Sequence, residues 1–394
     1  MNQRLLRLRV SIAALAIVLA ACSGPPNPLA RPKGAVPHPS ATVQGGAGTV
    51  ASPGTIDAFV PAAVRFVESH RGLRFKQPVK VDHLADRDFQ QRIIDLQRAE
   101  RADTDRAARL LRALRLVDPT VDVEKAEEQL LGAGVVGYYD PKTKELVVRG
   151  DAATPSVRHV VVHELTHALQ DQWFGLDDGR QAHTDDGALA YTALVEGDAV
   201  RIEREYIASL ALAERRQLAG EGSGGPPAGV PRVLIELLEF PYVAGPPLIK
   251  AVLGGRGQEG LDRAFKDRPA ATSQILNPDH FLQGQHPQPV PEPAADAPPF
   301  DRGVLGEAQL TVLLRSAVRT GSLTAEQAQT ATDGWAGDHY VAWASGASYC
   351  LRDRFTARTP ADAAALTNAL QKLSTAGSGA TVEPGPQPVL TTCG

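Results

Sequence analysis

Neither sign of charge dominates this chain of 394 residues: 41 Lys and Arg stand against 45 Asp and Glu, a formal net charge of −4. No basic stripe invites a polyanion, so nucleic-acid binding drops out of the readings. Cysteine is scarce, with three in all, at positions 22, 350 and 393. Apolar runs are short: the one from Val10 to Ala21 does not span a bilayer comfortably. From Ser23 to about Thr55 large apolar residues are nearly absent, which excludes a buried core there.

The same stretches say something positive. Arg4, Arg7 and Arg9, the apolar run and the small residues Ala20 and Ala21 together make a secretory signal. Leu19-Ala20-Ala21-Cys22 resembles the lipobox of bacterial lipoproteins. That resemblance implies cleavage after residue 21, a lipidated Cys22 as membrane anchor, and a place in the cell envelope outside the cytoplasm. Residues 22 to 55, rich in Pro, Gly, Ala and Ser, then read as a flexible tether. If Cys22 is lipidated, Cys350 and Cys393 form an even remainder in an exported protein. They read either as a disulfide or as two free thiols.

Residues 56 to 394 suffice for one large domain, expected to be α+β, mainly helical, and helical in its C-terminal part. Ile56, Phe59, Val60, Ala63, Phe66 and Val67 recur at helical spacing, and "VKVDHL" then alternates as a short strand. Charge-rich helical sequence runs from Asp86 to about Leu131. Residues 135 to 150, "VVGYYDPKTKELVVRG", place two β-prone runs around a turn at Asp140-Pro141-Lys142-Thr143, a hairpin. The Gly/Pro-rich segments 219 to 232 and 286 to 299 read as connecting loops.

The chemistry centres on "VVHELTHALQDQ", residues 161 to 172. Pro155 starts a helix in which Val162, Leu165, Leu169 and Trp173 form an apolar stripe. His163 and His167, four residues apart, fall on another face. Such a pair grips one Zn²⁺, while Glu164 leans toward the water the metal activates without ligating. Neutral imidazoles suit the metal, and a carboxylate removes the proton and delivers it to the leaving amine. Two histidines leave the site one ligand short. In a second helix, "GALAYTALVEGDAV" (187 to 200), Glu196 shares an otherwise apolar face with Leu189, Ala193 and Val200. A buried carboxylate needs a partner, and a metal supplies one; a helix-pair salt bridge is the bland alternative. Gly197 suits close approach of two backbones.

"HELTH", followed after 28 residues by the glutamate of "LVEGDA", resembles the gluzincin class of zinc metallopeptidases. The longer strings "GYYDPKTKEL", "HELTHALQDQ" and "EGDA" are similar to a group of little-characterised bacterial envelope peptidase-like proteins. The similarity extends less specifically to "FPYVAGPPLI" (240 to 249), "LGE" (305 to 307) and "GWAGDHY" (334 to 340). The resemblance implies a zincin-like domain, with His163, His167 and Glu196 as zinc ligands, Glu164 as general base, and an exposed sheet edge that pairs with an extended peptide or protein substrate.

Departures matter too. Gln170 and Trp173 stand where metzincins need Gly and His, which excludes that class. Val200 stands where thermolysin-like enzymes carry the carboxylate that orients a ligand histidine; Asp198 or Asp171 is then the substitute, or each is merely solvated. His183, Asp185 and Asp186 offer alternative ligands. Tyr242 and His339 are the options for an oxyanion donor, Tyr242 otherwise a packed ring and His339 otherwise a solvated loop residue. The reading favoured by these residues is a lipid-anchored zinc metallopeptidase. A catalytically silent lipoprotein using the same fold as scaffold, and a solute-binding lipoprotein, are the alternatives; oligomeric state is left open.

Overall fold

The computed structural model describes residues 54–177, 184–221, 227–375 and 379–394. The signal, Cys22, most of the tether, His183 and part of the 219–232 loop lie outside them.

Helix α1 (Ile56–Arg71) opens the chain, capped by the Thr55 side chain and closed by Gly72 at φ 75°. Strand β1 (Lys80–Leu84) leads into α2 (Asp86–Ala113) and α3 (Val123–Gly134), and the hairpin β2 (Gly137–Asp140) and β3 (Glu145–Arg149) follows. These strands form one sheet in the order β1-β3-β2, with β1 parallel and β2 antiparallel to β3. Period-two alternation gives the β2–β3 hairpin two dry faces, while β1 is partly exposed. Leu146 and Val148 pack with α1 and with α4 (Pro155–Phe174), whereas Tyr138 and Val147 meet Phe89 and Ile93 of α2.

Two long helices carry the centre of the molecule. In α4 Thr154 caps the first turn, Pro155 occupies the first helical position, and Gly175 closes the end at φ 67°. Thr184 caps α5 (Asp185–Ser209) in the same way. After α6 (Leu212–Glu221) comes α7 (Arg232–Lys266), which holds three prolines and breaks at Gly257. Gly197 of α5 and Gly245 of α7 meet backbone to backbone: a Cβ on Gly245 would lie 2.0 Å from the Ala193 carbonyl oxygen. The close approach expected at Gly197 is this crossing.

The short helices α8 (Ser273–Leu276) and α9 (Pro278–Leu282) lead to the C-terminal part. Sequence pattern suggested helix there, and the helices α10 (Gly306–Arg319), α11 (Ala325–Asp333) and α12 (Pro360–Thr375) are present. They pack on a five-stranded antiparallel sheet, ordered β4-β5-β6-β8-β7, from β4 (Pro299–Gly303), β5 (Trp335–Ser345), β6 (Ser348–Ala357), β7 (Thr381–Glu383) and β8 (Val389–Cys393). "GWAGDHY" is therefore strand rather than loop. Its glycines and aspartate obscure a period-two pattern in which Asp338, Tyr340 and Ala342 share the face that packs under the helices. Cys350 and Cys393, directly opposed on β6 and β8, form a disulfide. The fold is α+β and mainly helical.

Candidate metal centre

Helix α4 is buried almost all round, because the small sheet, α1 and α5 enclose it. Trp173, placed by periodicity on the core stripe, is 40% exposed instead. It sits in the last turn, where its indole N–H donates to the Arg74 carbonyl and Lys76 lies over the ring.

Four-residue spacing brings His163 and His167 edge to face, with their Nε2 atoms 3.0 Å apart. From the facing helix α5, Glu196 Oε2 lies 3.1 Å from His163 Nε2 and 3.3 Å from His167 Nε2. Three donor atoms thus form a nearly equilateral triangle. In a tetrahedral zinc site with bonds of ~2.0–2.1 Å, donors stand roughly 3.3–3.4 Å apart. The triangle has nearly that edge. The Glu164 carboxylate joins the two imidazoles within 4.8 Å. Its Oε2 accepts the Tyr139 N–H at 2.7 Å, so strand β2 turns that amide away from β3 and toward the site. Oε1 of Glu164 and Oε1 of Glu196 are buried with no hydrogen-bond partner. Buried polar oxygens are costly unless something receives them, and a cation with its water would. None of the four residues is more than 2% exposed.

Electrostatics follow from the burial. Glu196 is pushed up by loss of solvent, but the His167 charge and hydrogen bonds from both imidazoles bring it down to about 2. Burial lowers His163 and His167, and the Glu196 and Glu203 carboxylates more than reverse this for His163, as Glu196 chiefly does for His167. A metal taking those nitrogens would release their protons. Glu164, with fewer compensating contacts, is raised by burial to about 7.

Tyr242 reaches the same place from α7. Its ring stacks at 6.2 Å on His163, close enough for the Glu196 and Glu164 carboxylates to act on its hydroxyl. Burial and the carboxylates of Glu196 and Glu164 hold the phenol well above its usual range, so it stays a proton donor. The Gly197–Gly245 crossing lies one turn further along α7 and fixes this approach. His339 goes elsewhere: it projects from β5, opposite Arg354, with Nε2 3.6 Å from Glu292.

Each ligand-candidate imidazole has an orienting partner that sequence reasoning missed. His163 Nδ1 lies 3.0 Å from Glu203 Oε2, and His167 Nδ1 lies 3.0 Å from Gln170 Oε1. Glu203 follows Glu196 by seven residues, two helical turns, and so returns to the same face of α5; that spacing was readable. Asp198 acts one step further out. It accepts from Gln170 Nε2 at 3.2 Å and pairs with the fully buried Arg71 at 2.7 Å. Asp171 instead accepts from Tyr139 Oη, Lys144 Nζ and the Leu176 N–H, tying the end of α4 to the hairpin. Asp186 is bound to Thr272 through both carboxylate oxygens at the start of α5.

The motifs "LGE" and "GWAGDHY" meet at a joint with that same helix end. Asp338 accepts the N–H groups of Leu305 and Gly306 and the Trp335 indole. Gly306, at φ 76°, presses on Asp186, and a Cβ there would lie 1.8 Å from Asp186 Oδ1. The C-terminal sheet unit is thereby fastened to the start of the helix that carries Glu196 and Glu203.

A family model described as a domain of unknown function, DUF8575, matches residues 298–391. Those residues run from β4 into β8, the C-terminal sheet unit, and do not include the histidine–glutamate cluster. No curated protein and no solved structure matches the chain.

Proposed function

We propose that this chain is a zinc metallopeptidase of gluzincin type, with a zincin-like domain tethered to the envelope membrane through Cys22. The observation that carries the reading is the triangle of His163, His167 and Glu196 donors with the Glu164 carboxylate beside it. Zinc in such a donor set lowers the pKa of water and polarises a peptide carbonyl. Glu164, held by the Tyr139 amide through one oxygen, has the other free to take the proton of an attacking water and pass it to the leaving amine. The Tyr242 phenol is the donor for the developing oxyanion. Strand β2 is the edge strand of its sheet, but it is buried along its length and its outward Tyr139 amide is bound to Glu164, so it is not the exposed edge expected for pairing with an extended peptide.

The test is metal content and cleavage of a peptide library by the mature protein, with Glu164→Gln and a chelator as controls. Glu164→Gln keeps its zinc and fold and loses about 10²–10⁴-fold in hydrolysis. A variant that retains the wild-type rate removes Glu164 from the mechanism. For the anchor, wild type partitions with membranes and Cys22→Ser does not; identical fractionation with an unmodified N-terminus defeats the lipoprotein reading.

One observation favours a second reading. The four central side chains are sealed from solvent, as suits a silent envelope scaffold that keeps the metal fold for partner binding. A zinc-loaded, folded wild type that cleaves nothing in the library would put that reading first.

A further inference from the structure

His159 stands one helical turn before His163 on the same face of α4 and is buried. Its Nδ1 lies 2.7 Å from Glu203 Oε1, while the other oxygen of that carboxylate lies 3.0 Å from His163 Nδ1. Glu203 is therefore bracketed by two imidazoles, which are its charge partners. The arrangement has a parallel at His167. There Gln170 is the orienting group, and Gln170 is itself held by the Val195 carbonyl and Asp198. On both sides the group that orients a histidine has a holder of its own.

We propose that His159 is a positioning residue of the metal centre, acting through Glu203; the inference rests on the zinc reading of the site and deepens it. By donating to Oε1, His159 turns Oε2 toward the Nδ1–H of His163. That contact fixes His163 in the tautomer whose Nε2 lone pair faces His167 and Glu196. The terminal torsion of a glutamate is broad, so a carboxylate held by one imidazole alone swings, and His163 swings with it. Outer partners of metal-bound histidines set metal affinity as well as orientation. A histidine that merely pinned α4 to α5 would contribute to melting temperature and nothing more.

The experiment titrates metal-stripped mature protein with zinc against a competing chromophoric chelator and records the absorption spectrum of the cobalt(II)-loaded form. His159→Ala binds zinc about 10-fold more weakly than wild type and changes the cobalt spectrum. His159→Gln, whose amide can still donate to Glu203, recovers most of the affinity. His159→Phe fills the space without a donor and behaves like His159→Ala, which keeps the test decisive should the alanine variant fold poorly. Adding Glu203→Ala to His159→Ala costs less than Glu203→Ala alone, as expected for residues acting in series. Wild-type zinc affinity and an unchanged cobalt spectrum in His159→Phe, with only a lowered melting temperature, overturn the inference. A wild type that binds no zinc takes the metal reading down with it. Hydrolysis is not the readout, so a zinc-loaded but inert wild type counts against the peptidase reading alone.

Discussion

The two halves of the molecule bury carboxylates in opposite ways. Between α4 and α5, Glu196 and Glu203 are enclosed with imidazoles against them and stay ionised, with pKa values drawn down to about 2. In the C-terminal sheet, Asp353 is fully buried on the face packed under the helices, and neither of its oxygens has a partner. Burial, with the nearby Asp338 charge second, pushes it well above the carboxylate range. Asp338 lies between these extremes: three N–H groups bind it, yet burial still lifts it to about 6. A desolvated acid remains charged only where the fold brings it compensating charge. Glu196 and Glu203 receive that charge from the imidazoles, whereas Glu164 beside them receives less and Asp353 in the sheet receives none, so both are pushed up by burial.

If the two halves are separate in their energetics, perturbing one leaves the other intact, and the largest perturbation available is the disulfide. Cys350 and Cys393 are 43 residues apart in sequence, a loop for which chain entropy predicts about 4 kcal/mol of stabilisation. Reducing it should expose the amides of β5, β6 and β8 to hydrogen exchange while zinc stoichiometry stays the same. Zinc lost together with the bridge would make the halves one cooperative unit.

Gly245→Ala strikes the other half. Its Cβ would press on the Ala193 carbonyl and on Gly197, forcing α7 off α5 at a cost of about 1–3 kcal/mol and drawing Tyr242 from His163. Chemical denaturation measures the first effect and the fluorescence of the Tyr-bearing site the second. A smaller effect is expected of Glu203→Gln, which leaves His163 a weaker acceptor: zinc affinity falls roughly 10–100-fold, measured by chelator competition, with no change in exchange across the C-terminal sheet.

Asp353→Asn gives the smallest change and the sharpest sign. An acid whose pKa is raised on folding binds its proton more tightly in the folded chain. Its contribution is whole below the unfolded carboxylate value near ~4 and is lost as pH climbs through the folded value. For Asp338 that loss spans ~4 to about 6; for Asp353 it extends higher. Asp353→Asn should flatten the decline above that range and raise stability at pH 8 relative to wild type. Melting temperature against pH shows it, and an unchanged slope means Asp353 is not the proton holder.

Much of the helical half was readable because its signals are local. The i, i+4 step of His163 and His167, the Thr154-Pro155 start and the Asp140-Pro141 turn each depend on residues within a turn or two. Glu196 was found as a charge on an apolar face, a signal that needs only the helical period. Glu203 obeys the same period but sits among the charges of "RIEREY", where a buried acid looks like a solvated one. Gln170 is neutral and gave no sign. The C-terminal sheet stayed hidden because its strands carry Gly, Asp and Arg between apolar residues, and its pairings are long-range. Trp173 was misplaced because α4 is enclosed on nearly all sides, so no single stripe marks its core.

Because the triangle of donors is sealed beneath α5 and α7, access to it is a matter of rates as much as of affinities. If the site holds zinc as proposed, the ion would exchange only as the helices part, so the opening frequency of the Gly197–Gly245 crossing would set how fast a chelator strips it. Folded protein stripped of metal would then reload on the timescale of that opening, so a zinc titration of it has to be followed to equilibrium.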